Sequence, residues 1–192
     1  MWFISDSHFF HNNVIKYSNR PFSSVEEMNE TLVKNWNDKV SKTDIIYHLG
    51  DVIFAKHYNQ FQETLGRLNG KKILIKGNHD DYKSYSPFWT YWDNVYDYKE
   101  IKYDGKLFCL MHFPISVWNK GHRGALHLFG HSHSSLNYKV KGTTQMDVGV
   151  DSGGHGDRLD WKYRPIHAEE IIEYLKDCKY PYLDNHGEKY ND

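Results

Sequence analysis

Three times in this chain a short apolar run stops at a glycine, and a side chain able to hold a metal follows at once. Asp44–Leu49 (DIIYHL) ends at Gly50-Asp51, Lys72–Lys76 (KILIK) at Gly77-Asn78-His79-Asp80, and Leu126–Phe129 (LHLF) at Gly130-His131-x-His133. A strand carries a side chain to a fixed point, and the glycine lets the backbone turn sharply beneath it. In open α/β sheets the carboxyl ends of strands form the crevice where ligands bind. Two more clusters follow strand-like runs: Asp6-x-His8 after Met1–Ser5, and His112 at the end of Lys106–His112. Extended residues two apart face the same way, so Asp6 with His8, and His131 with His133, are each expected to converge.

The rest of the chain fills in around these runs. Ser23 to Val40 reads as a helix: Ser24 and Glu27 form a capping box, and Val25, Met28, Leu32, Val33 and Trp36 make one apolar stripe. His57–Asn69 reads as a second helix, with Phe61, Leu65 and Leu68 inward, and Ala168–Asp177 as a third through Ile171, Ile172 and Leu175. Asp6 to Pro21 reads as a polar loop. Val95–Tyr103 and Lys106–His112 flank Asp104-Gly105, a strong hairpin signal, and Thr143–Val150 is one more expected strand. The first half thus alternates strand and helix, and the second half is mostly strand. That rhythm predicts an α/β fold of two packed sheets with helices outside. At 192 residues a single domain is expected, over 1–180, followed by a polar tail at 181–192 that frays.

Composition removes several classes of function. Lys+Arg 24 against Asp+Glu 25 gives a net charge of −1, so no basic field draws the chain to a nucleic-acid polymer or an anionic membrane. A nucleotide substrate needs only a local site and stays open. No apolar stretch approaches the length of a membrane helix, and Met1 to Asp6 has no basic region ahead of an apolar one. Cys109 and Cys178 lie far apart in no C-x-x-C, as expected for reduced thiols in a cytoplasmic protein.

The clusters contain two carboxylates, one amide and four imidazoles, with no thiolate. This oxygen–nitrogen set suits Mn²⁺, Fe, Zn²⁺, Co²⁺ or Ni²⁺ and argues against an all-Cys structural zinc site. Seven donors exceed what one tetrahedral ion takes. They suit two ions roughly 3.5–4 Å apart with a shared carboxylate. Taken singly each cluster has an ordinary explanation, Asp6 as a turn cap and Asn78-His79-Asp80 as loop chemistry. All five in this order do not.

Asp-x-His, Gly-Asp, Gly-Asn-His-Asp, a lone His and then Gly-His-x-His resembles the calcineurin-like metallophosphoesterase superfamily, in its small single-domain bacterial or viral form. The resemblance runs from Asp6 to His133. It implies a double β-sandwich of two mixed sheets flanked by helices, in four layers αββα, with two divalent metal ions at one edge, Mn²⁺ first among the candidates. It implies that Asp6, His8 and His133 hold one metal, that Asn78, His112 and His131 hold the other, and that Asp51 bridges them. His79 matches the family's catalytic histidine, and Asp80 the acidic residue after it, placed to orient that imidazole. The implied reaction is hydrolysis of a phosphate ester by in-line attack of a hydroxide generated between the metals. A small phosphate ester or nucleotide is the expected substrate, a diester ahead of a monoester. A non-catalytic scaffold of the same fold is the competing class, and the presence of His79 speaks against it. One departure stands out: Phe54 occupies a position where the family often has Asp or Arg.

Weaker signals surround these motifs. His11 and Arg20 are candidates for gripping a phosphate, since a guanidinium fits one bidentately. His48 reads as a core histidine or a support for the Gly50-Asp51 turn. His122 and His127 are candidates for the pocket wall or for packing. Asp147–Asp151 reads as a structural strand and turn. Trp118, Trp161 and Tyr163 are expected to pack in the core or at its rim.

Overall fold

The computed structural model describes residues 1–181; the expected tail falls, beyond Pro181, outside the described residues. Two mixed sheets carry the fold. The first is built from β1 (Trp2–Ile4), β2 (Ile45–His48), β3 (Lys71–Ile75), β4 (Asn94–Tyr96) and β9 (Ile166–His167), in the order β4-β3-β2-β1-β9. Its first four strands run parallel, and β9 is antiparallel to β1. The second contains β5 (Tyr98–Tyr103), β6 (Lys106–Met111), β7 (Leu126–Phe129) and β8 (Gln145–Asp147), in that order. Only the β5–β6 hairpin is antiparallel there.

The alternation of side chains along the strands explains the layers. Ile4, Ile46 and Leu74 face one way, into a core with α2 (Val25–Lys39) and α3 (Tyr58–Thr64), which contribute Met28, Leu32, Trp36 and Phe61. Their neighbours Phe3, Tyr47 and Ile75 face the other sheet. There they meet Phe108, Leu110, Leu126, Leu128 and Met146, together with Ile171 and Leu175 of α4 (Ala168–Leu175). On the far side of the second sheet Cys109, Trp118 and Ala125 form a smaller core. Helix α2 begins where its cap sits: the Ser24 side chain accepts from the Glu27 amide.

Two readings of the sequence need correction, and one strand is added to them. Val95–Tyr103 is not one strand. It is β4 and β5, parted at Asp97, where the chain leaves the first sheet and enters the second. The segment Asp6 to Pro21 is not all loop, because it carries α1 (Asn12–Tyr17). Strand β9 went unread, being only two residues long. Every parallel strand of the inner pairs points its carboxyl end at the same edge of the sandwich, and the site lies there.

Candidate metal centre

The two sheets are stitched together at that edge by backbone. Ser5 leaves β1 and joins the segment after β8: its amide donates to the Val148 carbonyl at 3.1 Å and its carbonyl accepts from Val150 at 3.0 Å. The Asp6 amide donates to the Gly50 carbonyl at 3.0 Å, and the Gly130 amide to the His112 carbonyl at 2.9 Å. The turns after β1, β2, β6 and β7 therefore share one small volume. Gly50 and Gly77 make the closest approach. A Cβ on Gly50, whose φ is +94°, would lie 2.4 Å from the Gly77 nitrogen, and one on Gly77 would lie 2.2 Å from Asp51 Oδ1.

Two groups of metal-binding side chains result, Asp6 with His8 and His133, and Asp51 with His112 and His131. Each residue offers one donor atom, and within each group these lie within 4.8 Å of one another. Asn78 joins the second group, its Oδ1 being 3.1 Å from His112 Nε2 and 3.0 Å from His131 Nδ1. The expected convergence is present, but alternation along an extended strand does not produce it. Asp6, His8, Asp51, His131 and His133 all have positive φ, between 44° and 66°. The left-handed region is sparsely populated by non-glycine residues and is retained where the surroundings over-determine it, which concentrates such residues at functional sites.

Hydrogen bonds fix which nitrogen each imidazole presents. His112 Nδ1 donates to the Leu49 carbonyl at 2.6 Å, leaving Nε2 as the unprotonated nitrogen, 3.1 Å from Asn78 Oδ1 and 3.6 Å from Asp51 Oδ2. His133 Nδ1 donates to Asp151 at 2.7 Å and turns Nε2 toward Asp6. His8 Nδ1 meets His11 Nδ1 at 3.2 Å, and its Nε2 is buried with no hydrogen-bond partner. A partner on one nitrogen fixes the ring and frees the other as a ligand.

The electrostatics call for cations. Asp6 is completely buried, and burial, reinforced by the charge of Asp147, drives its pKa well above the usual carboxylate range. Burial pushes His8 in the opposite direction, far below an ordinary imidazole, so it stays a neutral ligand. The orphaned imidazole nitrogen of His8, buried between the carboxylates of Asp6 and Asp51, is costly as it stands. A divalent cation satisfies the nitrogen and the carboxylates alike, and the donor set fits one.

The remaining expected residues divide. The His79 ring belongs to neither donor group. Its amide donates to Asp51 Oδ1 at 2.9 Å, and its exposed imidazole lines a cleft beside the centre. Asp80 does not orient that imidazole. It is buried and accepts from three backbone amides, Gly77 at 2.9 Å, Asp51 at 2.8 Å and Val52 at 3.0 Å, clamping one ligand turn onto another. Arg20 does not reach for substrate. Its buried guanidinium donates twice to Asp151, at 2.9 Å each, and to the carbonyls of Asp6 and Ser7. Asp151, read from the sequence as structural, thus joins Arg20 to His133 of the first donor group. Burial alone would raise its pKa, but His133 and Arg20 outweigh that and lower it. For His133 burial likewise opposes the charged form, and the bond to Asp151 prevails, raising its pKa. His48 and His127 are fully buried in the core, and Trp118 and Trp161 are buried too. His11 supports His8 and also lines the cleft. Phe54 packs among three histidine rings, with centroids 4.2 Å from His11, 5.0 Å from His79 and 5.2 Å from His8.

Comparison with known proteins agrees with this geometry. Residues 1–147 match the family model of the calcineurin-like phosphoesterases. An uncharacterised protein of Methanocaldococcus jannaschii, MJ1445, is 42% identical over 187 residues, covering 93% of each chain. The gene 66 protein of mycobacteriophage L5 is 28% identical over 89% of this chain and 97% of its own. Among solved structures, a protein of unknown function from Aquifex aeolicus, AQ665, superposes with a TM-score of 0.69 at 28% identity, over 91% of this chain and 98% of its own. The chain belongs to the calcineurin-like phosphoesterases.

Proposed function

We propose that this member of the calcineurin-like phosphoesterases is a hydrolase with a two-metal centre that cleaves phosphodiesters. One observation carries the two-metal reading. Asp51 Oδ2 lies 3.6 Å from His8 Nε2 and 3.6 Å from His112 Nε2, so a single carboxylate oxygen stands between the two donor groups. In this reading Asp6, His8 and His133 hold one cation, Asn78, His112 and His131 the other, and Asp51 both. Two divalent ions, Mn²⁺ first among the candidates, lower the pKa of a water and neutralise phosphate oxygens. His79, outside both groups and facing a cleft, supplies a proton to the departing alkoxide.

Two features favour a diester. Clefts of 540 and 650 Å³ flank the turn that carries Asn78 and His79, and both reach Asp81 and Tyr82. A diester has a substituent on each side of phosphorus, and a monoester has one. The arginine nearest the centre is also committed to Asp151, so no guanidinium there balances a monoester's extra charge. A scaffold would leave His79 without a task.

The test combines metal analysis with kinetics at saturating Mn²⁺. Wild type is expected to hold two ions per chain and to hydrolyse bis-nitrophenyl phosphate faster than mono-nitrophenyl phosphate. Asp51→Asn is expected to lose metal and activity together, whereas His79→Ala keeps both ions and loses about 10²–10⁴-fold on an alkyl diester. Two ions and near-normal turnover in Asp51→Asn would overturn the bridging assignment. A monoester rate above the diester rate would leave a phosphatase.

A further inference from the structure

The 650 Å³ cleft on the His79 side is far larger than a phosphate needs and falls in the range of small-molecule sites. The His79 imidazole lines it, and part of its wall is aromatic: the Phe54 and His11 rings lie stacked on each other, 24° from parallel with centroids 4.2 Å apart. That wall is held rigidly. The Phe54 amide donates to the Phe9 carbonyl at 2.8 Å, and the Tyr82 hydroxyl donates to the Ile53 carbonyl at 2.5 Å while accepting from the Ala55 amide. The exposed Asn12 and Asn13 also line it, two amides that each both donate and accept. An aromatic face gives every nucleobase something to stack on, and paired amides suit a heterocycle's polar edge.

We infer that the leaving group is a nucleoside, lodged in this cleft with its base against Phe54 and His11 and its ribose hydroxyl oxygen at His79. The inference rests on the phosphodiesterase reading. It adds which of the two ester bonds breaks. Water adds to phosphorus, the bond from phosphorus to the nucleoside oxygen breaks, and His79 returns a proton to that oxygen. The products are a free nucleoside and the other group's phosphate monoester.

Adenosine 5′-(methyl phosphate) tests the placement, because its two leaving alcohols are both primary. Phosphorus NMR of the Mn²⁺-loaded protein with this diester is expected to show methyl phosphate as the main product, with adenosine released. Equal partition, or mainly adenosine 5′-phosphate, would overturn the inference while leaving the phosphodiesterase intact. Cleavage of neither bond, nor of any nitrophenyl ester, would overturn the phosphodiesterase reading itself. Calorimetric titration of the protein with adenosine then judges the cleft alone. Saturable one-site binding, weakened about tenfold in Phe54→Leu, supports it. No binding, or binding unchanged in Phe54→Leu, overturns it. In the active protein Phe54→Leu is expected to shift the product ratio about tenfold toward adenosine 5′-phosphate. A uniform rate loss with the ratio unchanged would make Phe54 a spacer between histidines.

Discussion

Arg20 and Asp151 show how a buried pair of charges supports a ligand it never replaces. The guanidinium side chain is fully buried and the carboxylate nearly so, and the latter spends Oδ2 on His133 as well as on Arg20. Removing one partner of a buried pair strands the other, at a cost of about 3–5 kcal/mol. Asp151→Ala is therefore expected to lose about that much stability in urea unfolding and to weaken metal binding at the group that includes His133. The double change Arg20→Met with Asp151→Leu removes both charges together, and should regain most of the stability without regaining that metal. If it binds two ions as tightly as wild type, Asp151 has no part in presenting His133. The sequence offered no clue to this pair because its members lie 131 positions apart. A guanidinium 12 residues after His8 is as consistent with a phosphate clamp as with a buried strut, and only the contact to Asp151 separates the two. The candidate metal-binding side chains were legible as a cluster, since each follows an apolar run and its chemistry is carried by residue type.

At the scale of elements, the turns do more than the strands. The strand ends bring the ligands near, but the left-handed residues and the glycine contacts finish the aim. Gly50→Ala would set a methyl 2.4 Å from the Gly77 nitrogen and 2.7 Å from His112 Nδ1, at a φ of +94°. The backbone strain alone costs on the order of 1–3 kcal/mol, and the clash with backbone adds to it. The variant is expected to unfold at lower urea concentration and to hold fewer metal ions, by denaturation curves and metal analysis. Wild-type stability and two bound ions would mean that the turn after β2 relaxes freely. Which elements could be read follows the same logic. Helix α2 announced itself by its cap and stripe, and β2, β3 and β7 by apolar runs ending at glycine. The break between β4 and β5 was hidden because Val95, Tyr96, Tyr98, Ile101 and Tyr103 all suit a strand and Asp97 is a single polar interruption among several. The choice of sheet depends on pairing partners far along the chain. Helix α1 was hidden for a different reason: it is six residues long, and no side chain caps its start.

For the whole molecule, two buried histidines outside both donor groups contribute to how the fold responds to acid. His127 donates from Nδ1 to the Cys109 carbonyl at 3.0 Å and accepts at Nε2 from the Ile115 amide at 3.1 Å. His48 accepts at Nδ1 from the Gly50 amide at 3.1 Å, and its Nε2 meets the Ser7 hydroxyl at 2.9 Å. Both are thus locked as neutral rings that cannot gain a proton without losing a bond. Burial lowers the pKa of His127 to about 4 and of His48 to about 3, against an unfolded value of 6.5. Between these limits each of these two rings therefore carries a proton in the unfolded chain that it lacks in the folded one. Stability from this source is complete above about pH 6.5 and falls as pH drops toward 4. The slope approaches about 1.4 kcal/mol per unit for each histidine. Buried Asp6 and Asp147 have raised pKa values and act in the opposite sense, losing stability as pH rises above the unfolded carboxyl value of 3.8. A comparison of variants removes that background. His127→Gln keeps an amide able to donate and accept but cannot titrate, so its urea stability should fall less steeply between pH 6.5 and 4.5. The difference in slope from wild type is expected to approach one proton's worth, about 1.4 kcal/mol per unit. Parallel curves for the two proteins would show that His127 gains its proton as easily folded as unfolded, and that the core around Cys109 and Trp118 admits a charge.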